Sequence, residues 1–427
     1  MSWLFRLSGD ARAPLSALVL LLVAWPASSA SLSPLSLAEA QQRAVARAAA
    51  PTAADLRARA AREMAVAAAQ RPDPVLGLSL VNLPADGPDR FSTTRDFMTM
   101  RSVSLMQTFT RDDKRQARAD RYLREAEAEQ AEYTLRSTDV RREVSLAWFQ
   151  RRAAEQRLAL LQAQRTEARL QVDAAVAAQR AGRGGSTDVL MARDAVAQID
   201  QALLAAEAAV ATARRDLARW TDEPVERPLG DPPTMDRHGL VDRPLAEQLA
   251  QHPGLAQLAA REAVAVSAVA VARAEREPDW SAELMFSQRG SRYSNMVSIG
   301  VSVPLPWDRP QRQDRELGAR LAQADALREE RVELEREVLA MVEGWIDGWR
   351  AALARRALID REREPLAQQR VEAALAAYRG GAAPLGAVLD ARRAALALRM
   401  ERIDVELDAA RLWAGLDTLI PAAGDAR

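Results

Sequence analysis

His238 and His252 are the only imidazoles in the 427-residue chain. They lie in a Pro/Asp-rich stretch, too far apart for the ligand spacing of a histidine metal site. Cysteine is absent. That removes disulfides, thiolate metal sites, a thiol nucleophile and an acylated N-terminal cysteine. The sequence has no G-x-S-x-G, no phosphate-binding G-x-x-x-x-G-K-[ST] and no H-E-x-x-H. The chain is therefore read as a non-enzyme, with no catalytic residue, no cofactor and no metal site assigned. Met98, Met100 and Met106 are placed on one strand face with Ser102 and Ser104, opposite Phe97 and Phe109. Thioethers suit Cu(I), but methionine is also a flexible apolar filler. The other residues that stand out are two glycine-rich turns, 182–187 and 380–384, each followed by a carboxylate, Asp188 or Asp390.

Those residues need elements to position them, and the composition limits which. Lys+Arg and Asp+Glu are both 59, so the net charge is zero, without the basic surplus of a nucleic-acid binder. The chain is 48% hydrophobic but only 4% aromatic, which favours many thin Ala/Leu helical contacts over one thick core. Lys114 is the single lysine, read as a coding bias. Arg6 and Arg12, the apolar run 15–25 and the small residues Ser28, Ser29 and Ala30 read as a secretory signal cut after Ala30. That run falls short of the ~20 residues of a spanning helix. The longest later charge-free apolar run, 263–272, is flanked by Glu262 and Arg273. The mature protein is expected to be exported without a transmembrane helix.

The chain repeats itself. Ala-rich helical segments at 37–70 and 245–277 each meet a proline turn, then two strand-like runs, a very long helix, a Gly-rich turn and a second long helix. Val189-Leu190-Met191-Ala192-Arg193 matches Val388-Leu389-Asp390-Ala391-Arg392 at an offset of 199. A period of that length marks a duplicated unit rather than a solenoid. The boundaries read as signal peptide 1–30, first repeat 31–230, linker 231–244 and second repeat 245–427. The strands are placed at 75–83, 97–109, 280–288 and 296–305, and the helical hairpins at 111–220 and 312–416. Residues 111–181 contain no Gly or Pro. As one helix they reach ~105 Å, a rod no globular domain needs. Twelve positions from 140 to 179 step by four and three, and nine are apolar, which is a coiled-coil seam. The seam is assigned to assembly between chains, through Leu158 and Leu161 among others. Pro365 is expected to kink the second rod.

Residues 296–305 alternate Val297, Ile299, Val301, Val303 and Leu305 with small or polar partners. Period-two alternation fits a half-buried strand or a membrane-barrel strand. Four strands cannot close a barrel, and an open edge in lipid leaves backbone groups unpaired. If these strands span a membrane, several chains must pool them.

The order of elements and three local texts resemble the TolC-like outer-membrane efflux family over nearly all of the mature chain. The texts are Ala181-Gly182 with Ser186-Thr187-Asp188-Val189 and Leu217-Ala218-Arg219-Trp220; Tyr378-Arg379-Gly380-Gly381 with Ala387-Val388-Leu389-Asp390-Ala391; and Val301-Ser302-Val303-Pro304-Leu305-Pro306-Trp307-Asp308-Arg309. The last is similar to the strand-to-helix corner of members paired with heavy-metal resistance-nodulation-division pumps. The resemblance implies a mostly α fold with a small β part. It implies a homotrimer with a 12-stranded outer-membrane β-barrel that continues into a periplasmic α-helical coiled-coil barrel. The implied partners are a periplasmic adaptor (membrane fusion protein), an inner-membrane resistance-nodulation-division pump and outer-membrane lipid, with no nucleic acid. The chain would be a passive conduit exporting metal cations, or drugs by the same architecture. The resemblance assigns Asp188, Tyr378 and Asp390 to the channel constriction. It assigns Gly182, Arg183, Gly184, Gly185, Ser186, Thr187, Arg379, Gly380, Gly381 and Pro384 to an adaptor-contacting tip. The family's gating arginine falls at Ala383 and a further aspartate at Ala387, so its ionic lock is incomplete here. Asp188 also reads as helix-start chemistry behind a Ser186 or Thr187 cap. A soluble periplasmic scaffold or adaptor would share the rods and the signal, but would tuck its strands into a compact β-domain.

Overall fold

The computed structural model describes residues 33–242 and 244–421. The expected signal peptide, 1–30, lies outside the described residues, as does Arg243 of the expected linker. Two helices open the chain, α1 (Leu37–Arg47) and α2 (Ala49–Ala68). The sequence reads as one helix here, but Pro51 has no N–H and crowds the turn before it, so the helix breaks at Ala48. Then come β1 (Val75–Val81), β2 (Met100–Phe109), α3 (Asp112–Arg180) and α4 (Ser186–Thr221). A 3-10 turn (Gly239–Asp242) and the short α5 (Leu245–Leu249) lead to α6 (Pro253–Ala274), β3 (Trp280–Gln288) and β4 (Met296–Ser302). The second rod is α7 (Gln313–Leu358), a π-helical turn (Ile359–Arg363) and α8 (Glu364–Arg379), and α9 (Leu385–Asp417) returns. Pro365 does not break this rod, because the wider π turn ahead of it absorbs the missing hydrogen bond. By length and composition α6 could cross a membrane, contrary to the sequence expectation. It packs on α3 and α7 instead, and its Arg261 and Glu262 pair with Glu132 at 3.5 Å and Arg331 at 2.8 Å.

The four strands form one antiparallel sheet in the order β1-β2-β3-β4. The two halves of the duplication meet inside it, where β2 pairs β3 from Arg101↔Gln288 to Phe109↔Trp280. The register sorts the side chains cleanly. One face carries Leu76, Leu78, Val103, Leu105, Leu284, Phe286, Val297, Ile299 and Val301. All are exposed, Ile299 to 80%. The other face carries Gly77, Ser79, Ser102, Ser104, Thr108, Ser281, Ser287, Ser298, Gly300 and Ser302, with Met100, Met106, Met285 and Met296. Ser102 and Ser287 are buried there, their hydroxyls 2.8 Å apart, so this is the concave side. A Cβ on Gly77 would meet the Ser104 hydroxyl at 2.6 Å.

Phe97 and Met98 are not on the strand. They lie in the loop before β2, where Arg289 donates to the Phe97 carbonyl at 2.6 Å and Asp96 accepts from the Met98 N–H at 2.7 Å. The face expected for Met98 is therefore wrong, whereas Met100 and Met106 do share the concave face. At the other end of β4, Pro304 and Pro306 supply no N–H, so the strand stops at Ser302 rather than residue 305.

The helices follow the strand order: α2 packs on α3, α3 on α6 and α6 on α7. This curved layer encloses a trough of about 790 Å³ lined by Arg57, Tyr122, Glu132, Arg261 and Leu327 among others. Within it Arg57 pairs with Glu129 and Arg121 with Glu125, both at 2.8 Å. Lys114 clamps the crossover from sheet to helices. Its ammonium is 3% exposed, 3.1 Å from Asp279 and 3.6 Å from Glu275, and Arg118 binds Glu275 as well. The single lysine is thus a structural residue.

The main core lies midway along the rods, where α1, α3, α7, α9 and the segment 229–240 converge. The Trp148 indole, fully buried, donates to the Leu35 carbonyl at 3.1 Å, and Trp349 donates to the Met235 carbonyl at 3.0 Å. Each rod thus holds the segment that enters its own repeat by the same bond. Leu35 also bridges Leu229 in parallel, tying the two entry segments together. The heptad seam is buried within the chain: Val144, Ala154, Leu161, Ala168 and Ala175 are covered by the chain's own helices, not left for another copy. An Asp at Leu161 would damage the fold before it touched assembly.

Trp349→Phe should cost about 1–3 kcal/mol, because it leaves the buried Met235 carbonyl without its donor, whereas Trp148→Phe should cost less, because the Leu35 carbonyl keeps the Gly230 N–H at 2.9 Å. Trp349→Phe should therefore show the larger drop in thermal unfolding, and a silent Trp349→Phe beside a costly Trp148→Phe would refute this account of the two clamps. Lys114→Met should cost about 2 kcal/mol, below the full cost of breaking a buried pair because its partners are partly solvated. An unchanged melting temperature would show that Arg118 alone holds the crossover.

Candidate functional site

The two hairpin turns have the same backbone solution. After α3, Gly182 takes φ +70°, its N–H bonds the Gln179 carbonyl at 3.0 Å, and the Arg183 N–H reaches the Ala178 carbonyl at 2.9 Å. After α8, Gly381 takes φ +74°, with Gly381 to Tyr378 at 3.0 Å and Ala382 to Ala377 at 2.9 Å. This is the left-handed helix end that glycine adopts without a Cβ penalty. Gly184, Gly185 and Pro384 complete the two reversals, and Gly380 closes α8. Arg183 and Arg379 are exposed at this tip and form no ion pair among the described residues.

The cap at the start of α4 is Gly185, not Ser186 or Thr187. Glycine has no side chain to offer, so the Asp188 carboxylate reaches back and accepts from the Gly185 N–H at 3.1 Å. An acidic group one turn into the helix also meets the positive end of its dipole. Asp390 stands in the first turns of α9, exposed, and pairs with Arg393 at 2.9 Å. Arg393 went unnoticed in the sequence, although its i,i+3 spacing from Asp390 is a direct sequence signal. In one chain the two aspartates therefore have different partners.

Both hairpin ends share a small apolar cluster. Ala175 of α3, Val189 and Ala192 of α4, and Leu385, Val388 and Leu389 of α9 are buried, and Tyr378 of α8 packs against them half-buried. Four helix ends are thus drawn to one place, with both glycine turns beyond it. Farther up, Arg392 binds Glu167 across the hairpins.

The histidines have no part in this. Burial pushes both imidazoles below the usual histidine range. Among the described residues, no group of three His, Asp or Glu is placed to hold a metal ion. The structure adds one residue to the candidates, Glu283, which stands on the concave face of β3 opposite Met106 and Gly300. The sequence alternation contained it, as the polar member between Ala282 and Leu284.

Residues 245–421 match the family model described as outer membrane efflux protein. No curated protein matches the chain. Among solved structures it is similar to the outer-membrane channel OprN, 19% identical over 90% of each chain with a TM-score of 0.76. CusC is 16% identical over 92% of this chain and 94% of its own, with a TM-score of 0.75. The outer membrane protein VceC of Vibrio cholerae is 16% identical over 88% of this chain and 96% of its own, with a TM-score of 0.68. At these identities the structures establish the fold. Residues 245–421 thus match the outer membrane efflux protein family model, and the chain has the fold of the solved outer-membrane channels it resembles.

Proposed function

We propose that three copies of this chain form a passive export conduit. The observation that carries this reading is the sheet. Its convex face is apolar and bare, and β1 and β4 leave an unpaired edge each. In lipid an unpaired strand edge costs several kcal/mol per group. Joining β4 of one copy to β1 of the next removes all edges, and three copies make twelve strands of a closed barrel. The rods ask for the same partners. α8 buries none of its residues, and Leu190 and Leu204 of α4 and Leu366 of α8 are exposed. A soluble scaffold has no use for a bare apolar sheet face.

The two repeats, 31–230 and 245–427, supply one hairpin each to a helical tunnel. The tip residues Gly182–Thr187, Arg379–Gly381 and Pro384 receive a periplasmic adaptor, which joins the conduit to an inner-membrane resistance-nodulation-division pump. Asp188, Tyr378 and Asp390 narrow the lower end, where up to six carboxylates in the trimer repel one another and attract cations. With Ala383 in place of an arginine, the ionic partner of Asp390 is its own Arg393. Energy comes from the pump, and the chain catalyses nothing. The cargo we assign is metal cations, on the strength of the 301–309 corner text. Drug export by the same architecture would appear instead as drug sensitivity, without metal sensitivity, in a deletion strain.

Extraction of the outer membrane in mild detergent should yield a particle of three chains, about 130 kDa of protein. A monomer or dimer in the soluble periplasmic fraction would sink the conduit. Arg183→Glu with Arg379→Glu should leave the trimer intact, since neither side chain forms an ion pair among the described residues. It should weaken cross-linking to the adaptor by about tenfold, the worth of one or two charged contacts. Undiminished cross-linking would move the docking surface away from the tip.

A further inference from the structure

The concave face of the sheet is nearly free of charge. Across β1 to β4 its residues are Ser, Thr, Gly, Val and Met, with one exception, Glu283. Its nearest cross-strand neighbours on that face are Met106 and Gly300, neither of which can neutralise it. Among the described residues no ion pair or side-chain hydrogen bond engages its carboxylate, whereas at the sheet-to-helix crossover Glu275 and Asp279 pair with Lys114 and Glu277 with Arg309 at 3.1 Å. Arg101, the one charge in register on the convex face, stands at the far end of β2, where it donates to the Arg289 carbonyl. Glu283 is the fourth residue of β3, so it lies about 10 Å above the helix end of the strand.

Resting on the conduit reading above, we propose that Glu283 is a cation-selecting residue of the barrel wall, a second filter distinct from the aspartates at the tip. Twelve strands about 4.8 Å apart, tilted by about 40°, close at a radius of about 12 Å. Three copies of Glu283 then form one ring of negative charge at one height, in a lumen otherwise lined by hydroxyls and thioethers. The field of such a ring reaches as far as screening allows. The screening length is about 30 Å at 0.01 M salt, which covers the whole lumen, about 8 Å at physiological strength and about 3 Å at 1 M. The ring therefore favours cationic solutes over anions in dilute salt and loses its hold in concentrated salt. It needs no bound ion, because an unscreened wall charge raises the local concentration of counter-ions by itself.

The test is the reversal potential of the purified trimer in a planar bilayer under a KCl gradient. It is run near 0.01 M and again near 1 M. Glu283→Gln should lower the K⁺ to Cl⁻ permeability ratio by at least about twofold in dilute salt, with no difference from wild type at 1 M. Gly300→Lys offers a route that leaves Glu283 in place. A Cβ at Gly300 meets only the Glu283 Cβ at 3.9 Å, an ordinary contact. The added ammonium should neutralise the ring and reproduce the Glu283→Gln result. Trimers of either variant that conduct with the wild-type ratio in dilute salt overturn the proposal and leave the conduit standing. A wild-type trimer that carries no current at all overturns both.

Discussion

A backbone amide in lipid has no water to bond. On the conduit reading, a four-stranded sheet with two open edges is therefore unfinished until other copies complete it. Most of what is unusual in the chain follows from that incompleteness. The apolar residues of the sheet point outward, so they cannot form a core, and what core the chain has lies elsewhere, midway along the rods. The low aromatic content fits this. Several of its large rings sit at the level of the clamps, as with Trp148, Trp349 and Trp413, and others at the two ends of the sheet, where Phe109 stacks on Trp280 at 4.2 Å and Phe97 approaches Tyr293.

Midway along the rods the duplication becomes a mechanical device. Two tryptophans on two rods each hold the carbonyl of an entering segment, and the two segments bridge each other through Leu35 and Leu229. A sheet at one end and loose hairpin ends at the other could otherwise splay, because thin Ala/Leu contacts resist bending only weakly. Arg151, 2% exposed, adds a bond of 2.6 Å to the Arg227 carbonyl at the same level. Two distant ends are thus set by one shared girdle.

Much of this was legible in the sequence, for reasons that can be named. Strand alternation at 296–305 and the Gly- and Pro-free run 111–181 are local signals, and local signals need no partner to be read. The duplicated order was legible because both copies kept their punctuation, Gly182 and Gly381 above all. What was missed is what depends on distance. Nothing near Lys114 in the sequence announces Glu275 and Asp279, over 160 residues away. Nothing in the heptad seam says whether its cover is the same chain or another. The N-cap of α4 was misread because Ser186 and Thr187 are good caps in isolation, yet the chain turned one residue earlier and let Asp188 reach back. Met98 was misplaced because alternation continues into a loop that no longer pairs.

The two halves have since diverged in how their rods are held. α3 runs unbroken and buries side chains along much of its length, whereas α8 buries none. The lower second rod leans more on charge against α9. Arg363 pairs with Glu401 at 2.8 Å, Arg399 with Glu364 at 3.3 Å, and Arg402 with Asp360, beside Ile359 and Ala367 on Leu398 and Val405 and the half-buried Leu375 and Tyr378 at the tip cluster. Exposed ion pairs of this kind contribute little each and trade readily with water. The π turn at 359–363 sits where apolar packing gives way to this ladder. The same divergence reaches the tip, where Asp188 is occupied by its own cap and Asp390 is free to pair along its helix. A duplicated pair of hairpins thus ends in one firmly packed member and one that leans more on solvent-exposed charge.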